Sequence, residues 1–159
     1  MTDEQAGQLG ASKAKANSEQ PRAAVVPSDA VFGQVVWLLM NIPVYRHLFL
    51  TDLEWMVLPP IMLTQYRLFK DGNRVVAFAA WAYLSEAAEA RLQEPNARLA
   101  PADWRSGDRL WLVNLFAPFG HQDVALKELE QTALAGKPFR MHRRGADGKM
   151  TVEVVGAAR

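Results

Sequence analysis

The sequence predicts an α/β domain in which helices flank a mixed central β-sheet. Two helical segments come first, and β-rich segments with intervening helices follow, in the order α-α-β-β-α-β-α-β-β. Two Gly-containing turns, at 71–73 and 145–148, lie between apolar and β-branched runs, which is typical of β-hairpins. The chain has 159 residues, the length of one ordinary domain, and half of them are hydrophobic.

The first 27 residues differ in composition from the rest of the chain. They are rich in Ala, Gln, Ser and Lys and poor in large apolar side chains. Such a segment cannot bury enough apolar surface to offset the entropy of ordering. We therefore predict a disordered tail at 1–27 and a folded domain at 28–156.

Helix signals begin at Ser28, which with Asp29 is a suitable N-cap. Apolar residues then recur at helical spacing, namely Val31, Val35, Leu38 and Leu39. Pro43 disfavours helical geometry in the residue before it and separates this helix from a second short one at 44–49. A further turn begins at Thr51, and we expect the proline pair at 59–60 to end it.

The central part of the chain alternates between β and α signals. Segments 65–70 and 74–84 form the first predicted hairpin, and Ser85 caps an Ala- and Glu-rich helix. Segment 109–118 has apolar residues at both phases of its period-2 pattern, which indicates a strand buried on both faces.

The last part of the chain predicts a helix and a closing hairpin. Segment 123–134 is an amphipathic helix. Its expected inner residues are Val124, Leu126, Leu129 and Leu134. Segments 137–144 and 149–155 flank the second Gly-containing turn and are predicted to pair.

Composition excludes several classes of function. Eighteen Lys and Arg balance 17 Asp and Glu for a net charge of +1, which argues against a nucleic-acid binder. Cysteine is absent and the three histidines are scattered, so no metal site and no thiolate nucleophile is expected. No apolar stretch reaches the roughly 20 residues of a membrane-spanning helix. We expect a cytoplasmic protein without stable membrane insertion.

Four exact strings, in order, are more specific than any periodicity. They are VVWLLMNIPVYRHLF, VLPPIMLTQYRLF, AAWAYLSEAAE and DWRSGDRLWLVNLFAPFG, within about 33–120. With these strings the chain resembles the family of RTX toxin-activating lysine acyltransferases. The resemblance implies a fold similar to the GCN5-related N-acetyltransferases (GNAT) and transfer of a fatty acyl group from acyl carrier protein to lysine ε-amines of a protoxin. It also implies a cytoplasmic reaction and homodimers.

The resemblance implies that the acyl donor is a phosphopantetheine thioester of acyl carrier protein and that no cofactor is permanently bound. GNAT relatives that use acyl-CoA hold its pyrophosphate with a glycine-rich turn at a helix N-terminus. The corresponding turn is taken to be AYLSEAAE, which has no glycine and is followed by acids. That composition favours a carrier-protein donor over CoA.

Two positions depart from the family pattern. The family's histidine of the Pro-x-His-Arg stretch falls on Tyr45, and its strand aspartate falls on Asn114. His47 lies two residues further on, roughly 200° around a helix axis. Three alternatives stay open: His47 acts from a shifted backbone, Tyr45 and Asn114 support a modified mechanism, or activity is lost.

Direct attack of lysine on a thioester, without an acyl-enzyme, needs a base, an oxyanion donor and a proton for the leaving thiolate. His47 is the candidate base because histidine titrates near neutrality. Tyr45, with an ordinary pKa of about 10, is a candidate proton donor to the thiolate. Asn114 is a candidate for orienting a ring nitrogen or the incoming amine.

Basic residues are candidates for contacting the donor phosphate or the acidic carrier protein. In the matching strings they are Arg46, Arg105 and Arg109. His142 lies in the basic stretch 140–144, which is typical of an exposed strand face. The alternative for that stretch is a contact with the carrier protein.

Three hypotheses of function follow. The first is an acyl carrier protein-dependent protein-lysine N-acyltransferase of the protoxin-activating type. The second keeps the chemistry and changes the acceptor to lysine or a related amine in a ribosomal precursor peptide. The third is a non-catalytic relative that binds an acyl carrier protein or an acyl chain, and it is motivated by the substitutions at Tyr45 and Asn114.

Overall fold

A computed structural model describes residues 28–156, so the tail predicted at 1–27 lies outside the described residues. The helices are α1 (Ser28–Met40), α2 (Leu50–Met56), α3 (Leu58–Met62), α4 (Glu86–Leu92) and α5 (Gln122–Gln131). The strands are β1 (Tyr66–Asp71), β2 (Arg74–Leu84), β3 (Arg109–Phe116), β4 (Phe139–Arg144) and β5 (Met150–Val155). Short 3₁₀ helices lie at Pro43–Tyr45 and Pro101–Trp104.

The strands form one sheet in the order β1-β2-β3-β4-β5. Every neighbouring pair is antiparallel except β3 and β4, which are parallel. A parallel pair needs a crossover connection, and α5 provides it. The predicted α/β class, with a mixed central sheet flanked by helices, is confirmed.

Helices cover both faces of the sheet. On one face the buried side chains of α1 to α4 pack against the sheet, and on the other those of α5 do so. The buried residues of α1 are Val31, Val35, Leu38 and Leu39, as the helical spacing predicts. Strand β2 is buried along almost its whole length because it contacts both layers.

The helical region before β1 differs from the prediction. Three α-helices precede the sheet instead of two, and 44–49 does not form a helix: the 3₁₀ helix Pro43–Tyr45 is followed by a turn. Pro59 and Pro60 do not end a helix but lie in the first turn of α3. The first turn tolerates proline because its N–H groups have no intrahelical acceptor.

Two other local predictions have different outcomes. The hydroxyl of Ser85 accepts a hydrogen bond from the backbone N–H of Ala88 at 3.1 Å, so the predicted N-cap of α4 is confirmed. Val124, predicted to be an inner residue of α5, is 65% exposed, and Ala125 is buried instead. Leu126, Leu129 and Leu134, the other three predicted inner residues, are buried, so the prediction is wrong only at Val124.

Candidate active site in a cleft between β3 and β4

The parallel strands β3 and β4 pair only over a short length. Trp111 is paired with Arg140 and Leu112 with Met141, and the register contains no further pair. Beyond these residues the strands separate around a cleft of about 480 Å³. Residues 112–116 form one wall, residues 141–144 the other, and the beginning of α5 closes one side.

A β-bulge in β3 lies at the point where the strands separate. Ala80 of β2 is paired with Asn114 and Trp81 with Leu112, so Val113 has no partner on β2. A bulge re-aims the side chains that follow it. It brings Asn114 to the face covered by α1 to α4, where its Nδ2 donates to the backbone carbonyl of Met56 at 2.8 Å.

Asn114 is therefore held in a fixed orientation at the cleft. Its side chain is buried and bonded through Nδ2, while among the described residues no protein group donates to its Oδ1. Past Leu112, the backbone groups of β3 that face β4 are also no longer paired with that strand. An amide oxygen and unpaired backbone N–H groups can bind an amine and an oxyanion, respectively.

Tyr45 reaches the same cleft from the helical layer. It is the last residue of the 3₁₀ helix that begins at Pro43, and its ring packs edge-on against Phe116 with 5.3 Å between centroids. Burial raises the pKa of the Tyr45 phenol above its ordinary value. The phenol is therefore a proton donor near neutral pH and not a base.

His47 lies in the turn after the 3₁₀ helix, and its side chain is exposed. It is not among the residues that line the cleft, whereas Tyr45 and Asn114 both are. Arg46 is exposed in the same turn. A role for His47 as the base stays a prediction, and this placement gives it no support.

Arg105 and Arg109 make contacts within the protein and do not line the cleft. The Arg105 guanidinium donates to Oε1 of Gln65 at 3.1 Å and to the carbonyl of Leu63 at 3.2 Å. Arg109 forms a close ion pair with Glu89. Both arginines thus hold elements of the fold together, and their binding of substrate stays a prediction.

His142 and Arg144 do line the cleft, on the β4 wall. The His142 ring lies 5.1 Å from the ring of Trp111, and its burial lowers the pKa of the imidazole. An imidazole in the same cleft as Tyr45 and Asn114 was not predicted, because the basic stretch was interpreted as an exposed strand face. The sequence did contain one indication: side chains alternate along the predicted strand, so those of His142 and Arg144 share one face of β4.

The structure corrects the turn proposed to correspond to the pyrophosphate loop. AYLSEAAE opens α4, whose residues do not line the cleft. The helix that starts at the cleft is α5, through Gln122 and Asp123. The relevant turn is therefore 117–121, because it joins β3 to the helix that starts at the cleft.

Two absences hold for residues 28–156. No group of three or more His, Asp or Glu there is arranged to hold a metal ion. None of the helices described above has the length and apolar character needed to cross a membrane.

A mixed sheet whose parallel strand pair separates around a cleft, with a crossover helix starting there, is the arrangement of a GNAT-like fold. Comparison with known proteins makes the assignment specific. The chain belongs to the RTX toxin acyltransferase family (HlyC), whose family model matches residues 26–156.

Individual relatives carry matching names. The leukotoxin-activating lysine-acyltransferase LtxC of Aggregatibacter actinomycetemcomitans is 35% identical over 123 residues, which cover 76% of this chain and 73% of LtxC. The protein-lysine palmitoyltransferase CyaC of Bordetella bronchiseptica is 32% identical over 148 residues, 89% of this chain and 79% of CyaC. The RTX-II toxin-activating lysine-acyltransferase ApxIIC of Actinobacillus pleuropneumoniae is 36% identical over 101 residues, 64% and 63% of the two chains.

Proposed function

We propose that this protein transfers a fatty acyl group from acyl carrier protein to a lysine ε-amine of a protein substrate, with the thioester held in the cleft between β3 and β4. The single observation that carries the proposal is the meeting of Tyr45 and Asn114 in this cleft. The family resemblance implies that these are the two positions of the catalytic histidine and aspartate. We place the reaction in the cytoplasm, as the resemblance implies.

The residues of the cleft would divide the chemistry between them. The neutral lysine nitrogen attacks the thioester carbonyl carbon, the C–S bond breaks, and the amine loses one proton while the thiolate gains one. Tyr45, protonated near neutral pH, supplies the proton to the thiolate. Backbone N–H groups on the side of β3 that faces β4, where pairing ends at Leu112, stabilise the oxyanion. The Asn114 Oδ1 accepts a hydrogen bond from the attacking amine.

The charges around the cleft support a carrier-protein donor. Asp123, in the first turn of α5, lines the cleft at the place where a pyrophosphate-binding helix would present its N-terminus. A carboxylate there opposes the binding of a CoA pyrophosphate. Arg144 on the opposite wall is exposed and can pair with the single phosphate of a phosphopantetheine arm.

The experiment incubates the purified full chain with palmitoyl-acyl carrier protein and, separately, an RTX-type protoxin or Nα-acetyl-lysine amide. Mass spectrometry should detect one palmitoyl group added per modified lysine, and free carrier-protein thiol should form in equal amount. A toxin-activating relative assayed in parallel is the positive control. No amide product from either acceptor, with an active control, would favour the alternative of a relative that only binds an acyl carrier protein.

The protein acceptor also has an alternative. A ribosomal precursor peptide bearing lysine would use the same cleft and the same residues, and the substitutions at Tyr45 and Asn114 motivate it. Efficient modification of short lysine peptides, with no modification of a protoxin, would favour this second acceptor.

We predict that Tyr45→Phe lowers kcat about tenfold and leaves KM nearly unchanged. The effect is moderate because a thiolate is a better leaving group than an alkoxide or an amide and leaves readily even without a proton donor. Phenylalanine retains the ring packing against Phe116, so the fold should be unaffected. Steady-state kinetics with palmitoyl-acyl carrier protein measure the effect, and an unchanged kcat would remove the phenol from the mechanism.

A further inference from the structure

The β4 wall of the cleft contains a titratable side chain to which the proposed mechanism has given no role. β4 continues past its last pairing with β3, at Met141, and the next residue is His142. On its other edge β4 stays paired with β5, where His142 is opposite Val152. β5 therefore fixes the backbone of His142 along one edge of β4, and the other edge borders the opening of the cleft.

His142 lies on the same face of the sheet as the other polar groups of the cleft. Its ring is 5.1 Å from Trp111, a residue of the core covered by α1 to α4. Tyr45 packs against Phe116 of that same core, and Asn114 donates to Met56 of α2. The cleft thus has a phenol and an amide on one side and an imidazole on the other.

The surroundings of His142 favour the neutral ring. The titratable and charged groups that line the cleft or share the sheet face of His142 are Tyr45 from the 3₁₀ helix, Asp123 from α5, Arg140 and Arg144 from β4 itself, and Glu89 of α4 behind Trp111. Arg143 of β4 also lines the cleft, but its side chain and that of Glu153 of β5 alternate to the opposite face. Glu153 is engaged by Arg143, and Glu89 by Trp111 and two arginines. No described carboxylate hydrogen-bonds to the imidazole, so burial dominates and lowers its pKa.

We propose that His142 is the general base that takes the proton from the attacking lysine amine, a role that rests on the proposed function and completes it. The base is needed because the phenol at position 45 cannot accept a proton near neutrality. The imidazole of His142 takes one proton from the nitrogen as the C–N bond forms, and Tyr45 gives one to sulfur as the C–S bond breaks. Proton exchange with solvent restores both side chains.

The test measures kcat/KM for palmitoyl-acyl carrier protein and Nα-acetyl-lysine amide with His142→Ala and His142→Gln. Both variants should lose about two orders of magnitude, the usual scale for a general base. Glutamine retains polarity and much of the volume of the ring. A loss of kcat/KM in His142→Gln therefore cannot be attributed to repacking of the side chains alone. Val152→Ala is the matched control, because Val152 is paired with His142 across β4 and β5, is exposed and does not line the cleft.

The pH profile separates a base from a structural residue. In the wild type, both the lysine and the imidazole must lose a proton, so log kcat/KM should rise with a slope near 2 below the pKa of His142 and near 1 above it. In His142→Gln the slope should be near 1 throughout. A slope that stays at 2 in this variant would overturn the proposal.

The remaining outcomes are also distinct. If the wild type transfers acyl groups and His142→Ala does so at a near-normal rate, the base is another group and only this inference fails. A hundredfold loss in His47→Ala, with His142→Gln unaffected, would assign the base to His47. If the wild type forms no amide with any acceptor, the proposed function fails and this inference fails with it.

Discussion

Replacing Glu89 by alanine should lower the free energy of unfolding by about 2–4 kcal/mol. The Glu89 side chain is only 8% exposed. It accepts hydrogen bonds from Nε1 of Trp111 at 2.8 Å and from Arg140 at 3.1 Å, and it pairs closely with Arg109. Alanine would leave the buried indole N–H without an acceptor. It would also free two arginines that hold α4 against β3 and β4.

Urea unfolding followed by tryptophan fluorescence measures the loss. The matched control is Glu86→Gln in the same helix, whose carboxylate is 87% exposed and 3.7 Å from Arg109. An exposed pair of this kind contributes little, so the control should differ from the wild type by less than about 0.5 kcal/mol. Equal losses in the two variants would show that the Glu89 network does not stabilise the fold.

The contribution of Glu89 should depend on pH. Burial alone would raise its pKa, but hydrogen bonds from Trp111 and Arg109 and the charges of Arg140 and Arg109 outweigh burial and lower it. The unfolded state then binds more protons at acidic pH. The stabilisation is therefore complete above the ordinary pKa of 4.5 and is lost as the pH falls through the lower, folded-state pKa. The difference between wild type and Glu89→Ala should shrink accordingly.

The parts of the fold that local chemistry determines could be predicted from the sequence. Both hairpin turns and the N-cap at Ser85 follow from backbone preferences and short-range hydrogen bonds. The proline pair at 59–60 was misinterpreted because proline is compatible with both the end of one helix and the first turn of the next. Which of the two applies depends on tertiary packing.

The cleft itself could not be predicted, because side-chain alternation does not show where two parallel strands stop pairing. Strand β3 has the same apolar pattern on both sides of Leu112, where pairing with β4 ends. The bulge at Val113 is likewise set by pairing with β2. For this reason Tyr45 and Asn114 could be assigned to a common site only through the family resemblance, and His142 remained an ordinary strand residue.

Asn114→Asp, which introduces the aspartate that the family resemblance implies at this position, should lower the free energy of unfolding at pH 7 by about 1–3 kcal/mol. The reason is the hydrogen bond from Nδ2 to the carbonyl oxygen of Met56, 2.8 Å away in a buried position. A carboxylate cannot donate, so two oxygen atoms would face each other there. A protonated carboxyl can donate, which means that the pKa of the new side chain should rise in the folded state.

The sign of the pH dependence makes this prediction specific. When the pKa of a group is higher in the folded state, its contribution to the free energy of unfolding is complete below the unfolded-state pKa of about 3.9. This contribution is lost as the pH rises through the folded-state pKa. The deficit of Asn114→Asp should thus be small near pH 4 and grow toward pH 8. Asn114→Ala, which cannot titrate, should show a deficit independent of pH. Unfolding of both variants across this range, relative to the wild type, measures the difference, and parallel curves would contradict the assigned hydrogen bond. If Asn114→Asp also shows no deficit at any pH, an aspartate fits β3 as well as Asn114 does, and the asparagine at this position reflects chemistry in the cleft and not the anchoring of β3 to α2.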